Sequence, residues 1–245
     1  MTVPVEIFDS LDSTSLEAKR RAESGQVVPC WILARQQTAG YGRRGDGWES
    51  TRGNLHATRL FPLLPADPPA SELSFVAAIA IAEAIEALAQ TSTPQLKWPN
   101  DVYIDDAKIC GLLPELIARA SGRQYVALGV GLNIAVAPCL ADRKTTRLAN
   151  FLPGPVPTPE DVLDIVEGRF DRWLAEWRRD GFAPIAAAWT ERAYGLGRMG
   201  WVVDAGPTIS GVIEGLATDG ALCLNDGGRI VMARAGSLRF NAPDA

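Results

Sequence analysis

The segment of residues 71–90 places the strongest constraint on how this chain can fold. It is dominated by Ala, Ile, Leu and Glu, and neither proline nor glycine interrupts it. A helix is therefore predicted over the whole segment. A helix that is apolar on nearly every side has to be covered by other elements. We expect this helix to be buried against a β-sheet.

Segments with strand character lie on both sides of this helix and supply such a sheet. Two further helices are expected. One is capped by Asp12 or Ser13 and closed by Gly25, and the other begins at Thr158 with proline and acidic residues in its first turn. Residues 36–54 and 135–157 are expected to be long loops. The predicted strands are 3–8, 30–35, 55–61, 96–98, 101–104, 108–117 and 125–132, with Gly111 and Pro114 interrupting the sixth.

The character of the sequence changes after Gly195. Short β segments are predicted at 199–204, 208–216, 221–224 and 229–233, and Asp-Gly turns separate the later ones. We interpret residues 195–245 as a small β-barrel-like domain that follows a larger domain of residues 1–194. The second helix is expected to bury a stripe at helical spacing, formed by Val162, Val166, Phe170, Trp173 and Trp177.

Composition excludes several classes of function. The net charge of −5 at pH 7 argues against a general nucleic-acid or anionic-membrane surface, and no apolar run approaches the length of a bilayer. The first residues lack the pattern of a signal peptide, so a cytoplasmic location is expected. His56 is the only histidine. This excludes two-histidine metalloprotease motifs and any Ser-His-Asp triad that does not use His56. The four scattered cysteines fit reduced thiols better than a zinc site.

Lysine is rare and unevenly placed. The chain has 20 arginines but four lysines, and Lys97 and Lys108 lie within twelve residues of each other, around a Trp-Pro-Asn-Asp turn. Compact ammonium groups among apolar neighbours suit a phosphate or carboxylate ligand. Because charges beside a turn are often merely solvated, the motif alone leaves both interpretations open.

A second motif is rich in glycine and arginine. Residues 40–48 read Gly-Tyr-Gly-Arg-Arg-Gly-Asp-Gly-Trp. The glycines let the backbone approach a ligand, the arginines offer paired donors for phosphate, and Trp48 offers a flat face for stacking. Two weaker motifs accompany it. Gly129-Val130-Gly131-Leu132-Asn133 ends a predicted strand, and Asp12-Ser13-Thr14-Ser15 is explained equally well as a helix cap.

Together these motifs closely resemble the biotin protein ligases of the biotin/lipoate ligase superfamily. The resemblance covers nearly the whole chain and includes Ser210-Gly211 through Gly220-Ala221-Leu222, which look like the SH3-like barrel of these enzymes. It implies an α+β fold of the class II aminoacyl-tRNA-synthetase type, with helices packed on a mixed sheet, followed by that barrel. Because Asp12 lies only eleven residues from the start, the DNA-binding domain of the bifunctional ligase-repressors is not expected.

The resemblance also implies an activity and a set of site residues. Such a ligase activates biotin with ATP to biotinyl-5′-AMP and transfers the biotin to a lysine of a carrier protein or domain. Mg²⁺ is expected on the phosphates rather than at a metal site built by the protein. The implied catalytic residues are Lys108, Arg43 and Asp101. The implied biotin-binding residues are Ser13, Thr14, Gln37, Gly40, Arg44 and Gly111. The implied nucleotide-binding residues are Arg43, Trp48, Lys97, Asn100 and Asn133, with Trp48 covering the adenine.

Some positions depart from the family pattern, and two alternative functions remain open. Ser15 stands where asparagine is usual, Tyr41 replaces the first arginine of the loop, and Pro114 removes a ladder donor from its strand. Residues 56–59 are more polar than the apolar strand that is usual there. The alternatives are a ligase for lipoate or another acid, and a ligase-like protein that binds a cofactor or adenylate without turnover. No nucleic-acid or membrane partner is expected, and both a monomer and a homodimer are compatible with the sequence.

Overall fold

The computed structural model of this protein describes residues 3–25, 27–90, 92–120 and 122–242. Its larger sheet has seven strands in the order β1-β2-β3-β7-β6-β5-β4. The pairing of β1 with β2 is parallel and the other pairings are antiparallel. The strands are β1 (Val5–Phe8), β2 (Cys30–Ala34), β3 (Leu55–Leu63), β4 (Gln95–Lys97), β5 (Asp101–Ile104), β6 (Ala107–Ala118) and β7 (Gln124–Leu132).

Helices cover both faces of this sheet. The apolar segment forms α2 (Leu73–Leu88), which packs with α3 (Pro159–Asp180) on one face, so the predicted burial against a sheet is confirmed. The opposite face is covered by α1 (Thr14–Ser24), whose Ala18 and Ala22 contact a smaller cluster of apolar residues. Because strand side chains alternate between faces, β3 directs Leu55 and Ala57 toward α2 and Thr58 and Leu60 toward α1.

The predicted helix ends are confirmed by their capping contacts. The Ser13 side chain accepts a hydrogen bond from the Ser15 amide at the start of α1, and Gly25 ends this helix with a left-handed φ of 92°. At the start of α3, Thr158 and Asp161 form a reciprocal capping box. The predicted stripe on α3 is buried. A nine-residue helix, α4 (Ala183–Glu191), was not predicted.

The second sheet has five strands in the order β11-β10-β9-β8-β12. Four of them were predicted, and the short β12 was not. The fold class is therefore confirmed as a mixed sheet with helices, followed by a small antiparallel unit of SH3-like type. The division into domains at residues 1–194 and 195–245 stays a prediction. The strands are β8 (Met199–Val203), β9 (Ile209–Leu216), β10 (Leu222–Asp226), β11 (Arg229–Ala233) and β12 (Ser237–Arg239).

The expectation that Gly111 and Pro114 interrupt the sixth strand was wrong, because β6 is continuous from Ala107 to Ala118. The Leu112 amide donates to the Asn100 carbonyl, so even-numbered amides near this point face β5 rather than β7. The Pro114 nitrogen faces the same side, beyond Gly111, the last β6 residue that β5 pairs. The proline therefore costs no ladder bond to β7.

Within the described residues, no helix has the length and apolarity needed to cross a bilayer.

Candidate active site

A floor of glycines on the α1 face of the sheet supports one aromatic ring. Gly111 of β6 pairs with Gly131 of β7, and Gly131 pairs with His56 of β3. The indole of Trp48 lies directly on the two glycines. A Cβ added at Gly111 would be 3.0 Å from the Trp48 ring, and one added at Gly131 would collide with it. These positions need glycine because the ring rests on bare backbone.

The charged residues of the Lys-Trp-Pro-Asn-Asp motif gather beside this ring. Lys108 Nζ lies 2.6 Å from Asp101 Oδ1 and 5.5 Å from the centre of the Trp48 ring. Antiparallel pairing of β4 with β5 places Lys97 opposite Asp101, and Lys97 Nζ lies 3.5 Å from the Tyr103 hydroxyl. The structure therefore brings together the two lysines that the sequence singled out.

Arg43 completes this charged cluster from the glycine-rich loop. Its Nη1 is 3.5 Å from Asn100 Oδ1, and Asn100 in turn donates through Nδ2 to the Leu112 carbonyl at 2.6 Å. Burial is the main cause that lowers the pKa of Arg43 and also that of Lys97. Three cations, Arg43, Lys97 and Lys108, thus surround the single carboxylate of Asp101. The cluster has an excess of positive charge in a chain whose net charge is −5.

The glycine-rich loop is folded back on itself and attached at both ends. Its Tyr41 hydroxyl donates to Glu115 at 2.8 Å, and Lys19 of α1 contacts both groups, at 3.0 Å and 2.7 Å. Arg44 instead faces the second sheet, where it pairs with the Asp204 carboxylate at 3.0 Å. The structure therefore does not bring Arg44 to the other residues predicted to bind the acid.

Those other residues form a polar cluster between α1 and the loop. The Thr14 amide donates to Gln37 Oε1 at 2.8 Å, and the Gln37 amide nitrogen is 3.0 Å from the Ser50 hydroxyl. A Cβ at Gly40 would lie 2.8 Å from that same Gln37 nitrogen. Ser13 is buried at the N-cap beside Thr14. Ser13, Thr14, Gln37 and Gly40 are therefore neighbours in space.

Asn133 holds in place the loop that contains Thr146, beside Lys108 of the charged cluster. Its side-chain nitrogen donates to the Thr146 carbonyl at 3.0 Å, and the Thr146 amide donates to the Lys108 carbonyl. This loop borders an open cleft of about 880 Å³ that also contacts Arg143. The position of Asn133 allows it to order the segment beside Lys108.

Two residues of this region, Arg143 and Arg239, were missed by sequence reasoning. The charges of Arg143 and Arg239 act on Lys97 from two distant parts of the chain, and no motif marks either residue. His56 and Thr58 face the site because of strand alternation. The Thr58 hydroxyl is 2.8 Å from the Thr14 hydroxyl and 3.1 Å from that of Ser15. His56 and Thr58 both belong to the polar segment 56–59, whose departure from the family pattern was expected to lie at the ligand pocket.

No group of three or more His, Cys, Asp and Glu side chains in the described ranges is arranged to hold a metal ion. Asp101 is the carboxylate of the charged cluster, and it is paired with Lys108.

The fold and this cluster of cations beside a glycine floor define a ligase of a known class. The chain belongs to the biotin/lipoate A/B protein ligase family, whose model matches residues 7–133. It is 37% identical over 221 residues to a biotin–[acetyl-CoA-carboxylase] ligase of Paracoccus denitrificans, covering 87% of this chain and 90% of that protein. A Mycobacterium tuberculosis protein of the same name is 29% identical over 244 residues, covering 96% and 88%.

A solved structure agrees with these relatives. The biotin protein ligase of Aquifex aeolicus in complex with biotin and ATP superimposes with a TM-score of 0.83 at 25% identity, covering 97% of this chain and 99% of that one.

Proposed function

We propose that this protein is an ATP-dependent biotin protein ligase. It activates biotin to biotinyl-5′-AMP and transfers the biotinyl group to a lysine of a biotin carboxyl carrier protein or domain. The observation that carries the proposal is the cluster of Arg43, Lys97 and Lys108 around Asp101. Partly buried cations with too few anionic partners are stabilised by an anionic ligand, and this reaction brings a carboxylate and a triphosphate together.

The first step joins two anions. An oxygen of the biotin carboxylate attacks the α-phosphorus of ATP, the bond to the β-phosphate oxygen breaks, and pyrophosphate leaves with the bonding electrons. Lys108 is proposed to hold the carboxylate and the α-phosphate, because its ammonium lies beside the glycine floor and Asp101 keeps it there. Preorganised charges of this kind stabilise the transition state more than they stabilise separated substrates.

Mg²⁺ fits this site as an ion carried on the phosphates, since Mg²⁺ commonly uses one or two carboxylates together with substrate oxygens. Asp101 is the candidate protein ligand, with Asn100 beside it. When bound, the ion neutralises phosphate charge. Arg43 and Lys97 are proposed to bind the remaining phosphate oxygens.

In the second step the amine of a carrier lysine attacks the acyl carbon of the adenylate. An amide forms, AMP leaves, and the proton of the amine goes to solvent or to a nearby base. The carrier, the cytoplasmic location and the choice between monomer and homodimer remain predictions. No enzyme nucleophile is needed, which agrees with a chain whose single histidine is buried.

The glycine floor is proposed to hold the chain of the acid once Trp48 moves. The indole now covers Gly111 and Gly131 beside Lys108, so an acid whose carboxylate reaches Lys108 needs the same space. Ser13, Thr14, Gln37 and Gly40 are proposed to bind the ring end of biotin. The proposed roles of Trp48 at the adenine, of Asn133 near the nucleotide and of Arg44 at the acid are carried by the resemblance alone.

The two alternative functions are not favoured, because the relatives named above are biotin ligases over most of their length. Isotope exchange separates the three possibilities. The protein is incubated with ATP, Mg²⁺ and labelled pyrophosphate, and biotin, lipoate or octanoate is added in turn. Biotin-dependent exchange is expected. Exchange with lipoate or octanoate alone would show a different acid ligase, and no exchange with any acid despite binding would show a protein without turnover.

Lys108→Ala tests the central assignment. Loss of one preorganised charge from a transition state is expected to slow biotinyl-AMP formation by about 10²- to 10³-fold. Arg123→Ala is the matched control, because this cation lies on the hairpin between β6 and β7, away from the charged cluster. Near wild-type adenylate formation by a folded Lys108→Ala protein would refute the role of Lys108.

A further inference from the structure

One buried polar side chain on the site face is unexplained by the activity just described. His56 is 1% exposed, and neither of its ring nitrogens makes a hydrogen bond of good geometry within the described part of the chain, since the ring has only a weak interaction with the Ala34 backbone. Buried polar groups without partners are rare in folded proteins because each one costs free energy. A side chain of this kind, where an apolar residue would pack without cost, indicates a ligand that supplies the missing bond.

The strand register places this imidazole at the far end of the glycine floor. His56 pairs with Gly131, which pairs with Gly111, so the three residues form a row across β3, β7 and β6. The row begins beside Lys108, since a Cβ at Gly111 would lie 3.2 Å from Lys108 Nζ. Two strand spacings, about 10 Å, separate Gly111 from His56. An acid that lies along this row with its carboxylate at Lys108 directs its other end toward His56.

The surroundings of His56 are also polar. Thr58, two residues along the same face of β3, is hydrogen bonded to Thr14 and Ser15. The indole nitrogen of Trp48, above Gly131, is likewise buried without a partner among the described residues. The far end of the floor thus offers the free imidazole of His56 beside hydroxyl groups that are already paired, and a free indole N–H lies over the middle of the floor, where the floor itself is glycine backbone.

We propose that His56 is a specificity-determining residue that binds the ring end of the acid substrate through a hydrogen bond. The assignment rests on the proposed ligase function. A neutral imidazole has one donor and one acceptor nitrogen, so it suits a head group with N–H, C=O or thioether atoms, such as the fused rings of biotin. An acid with a purely hydrocarbon tail leaves His56 unpaired, and sites built around buried polar groups discriminate strongly against such analogues.

The test compares His56→Leu with His56→Gln in biotin-dependent pyrophosphate exchange. We expect His56→Leu to raise the KM for biotin about tenfold to a hundredfold, with kcat and the KM for ATP changed little. The ratio of octanoate to biotin exchange is expected to rise in the same variant. His56→Gln restores a donor and an acceptor and is expected to recover most of the biotin affinity. Phe61→Leu, a buried change on the opposite face of β3, controls for loss of packing.

The outcomes distinguish failure of the role proposed for His56 from failure of the proposed ligase function. Wild-type exchange with biotin and an unchanged biotin KM in folded His56→Leu would overturn the role of His56 alone. A His56→Gln protein as impaired as His56→Leu would also overturn it, because shape rather than hydrogen bonding would then matter. A wild-type protein inert toward biotin would refute the proposed function, and the role of His56 with it.

Discussion

His56 shows at the scale of one residue how burial changes the charge of a side chain. Removal from water lowers the pKa of this imidazole from 6.5 to about 4, so the folded protein holds it neutral at pH 7. In the unfolded chain the same group takes up a proton near pH 6.5. Between pH 6.5 and pH 4 the unfolded state therefore binds more protons than the folded state, and stability falls as the pH falls.

This difference in bound protons predicts that His56 makes the free energy of unfolding depend on pH. The stabilisation is fully present above pH 6.5 and decreases by roughly 3 kcal/mol as the pH approaches 4. His56→Gln removes this contribution, so the wild type is expected to lose more stability than the variant between pH 7 and pH 4.5. Urea unfolding at several pH values measures both curves, and Phe61→Leu, which retains His56, serves as the control. Parallel curves for wild type and His56→Gln would contradict the prediction.

At the scale of elements, the glycine-rich loop depends on contacts to α1 and β6. Tyr41, which stands where the resemblance places an arginine, donates its hydroxyl to Glu115. Lys19 of α1 supplies the positive charge beside that carboxylate, at 2.7 Å. In this chain the cation beside Glu115 therefore comes from the helix, and the loop contributes a hydroxyl.

Tyr41→Phe is expected to weaken this attachment without disturbing the ring. It loses the hydroxyl that donates to Glu115 and accepts from Lys19. Biotinyl-AMP is therefore expected to leave the enzyme about three- to tenfold faster, as measured by release from a preformed complex. The double variant Lys19→Leu with Tyr41→Arg moves the cation beside Glu115 from α1 to the loop and is expected to release the adenylate at nearly the wild-type rate. Glu23→Gln, an exposed change on α1, is the control. Unchanged release from Tyr41→Phe would show that this attachment does not retain the adenylate.

Elements with strong local patterns could be predicted from the sequence, whereas those that depend on distant partners could not. The caps of α1 and α3 and the apolar length of α2 are local signals. The helix α4 has nine residues and the strand β12 has three, and β12 exists as a strand because it pairs with β8. Lys108 and Asp101 are close in sequence and were predicted together. Arg44 and Asp204 are 160 residues apart, and no motif joins them.

At the scale of the whole molecule, the second sheet contacts both the main sheet and the glycine-rich loop. The ring of Tyr194 stacks on Tyr103 of β5 with centroids 5.0 Å apart, and Phe240 packs against Tyr194 at the same distance. These aromatic contacts fix the second sheet beside β5. The glycine-rich loop in turn contacts the second sheet, since Arg43 donates to the Gly236 carbonyl at 3.1 Å. The second sheet therefore supports the arginine that we propose meets the phosphates.

The pair between Arg44 and Asp204 tests this support with little effect on folding. Both side chains are partly exposed, so the pair is expected to contribute little to stability. Asp204→Asn keeps the shape of a residue whose φ is 68° but removes its charge. The loop then loses this ion pair but keeps the hydrogen bonds from Arg44 to the Asp204 carbonyl and from Arg43 to the Gly236 carbonyl. Biotinyl-AMP is therefore expected to escape about two- to fivefold faster, and high salt should produce a similar effect in the wild type.

Arg234→Ala provides the matched control for Asp204→Asn. It breaks the exposed pair between Arg234 and Asp219, which lies in the same sheet but does not contact the loop. If the loop depends on the second sheet, Asp204→Asn speeds escape of the adenylate and Arg234→Ala does not. Equal escape rates for Asp204→Asn and the wild type would mean that the ion pair is not needed to hold the loop, and that its remaining contacts through Tyr41, Trp48 and Arg43 are sufficient.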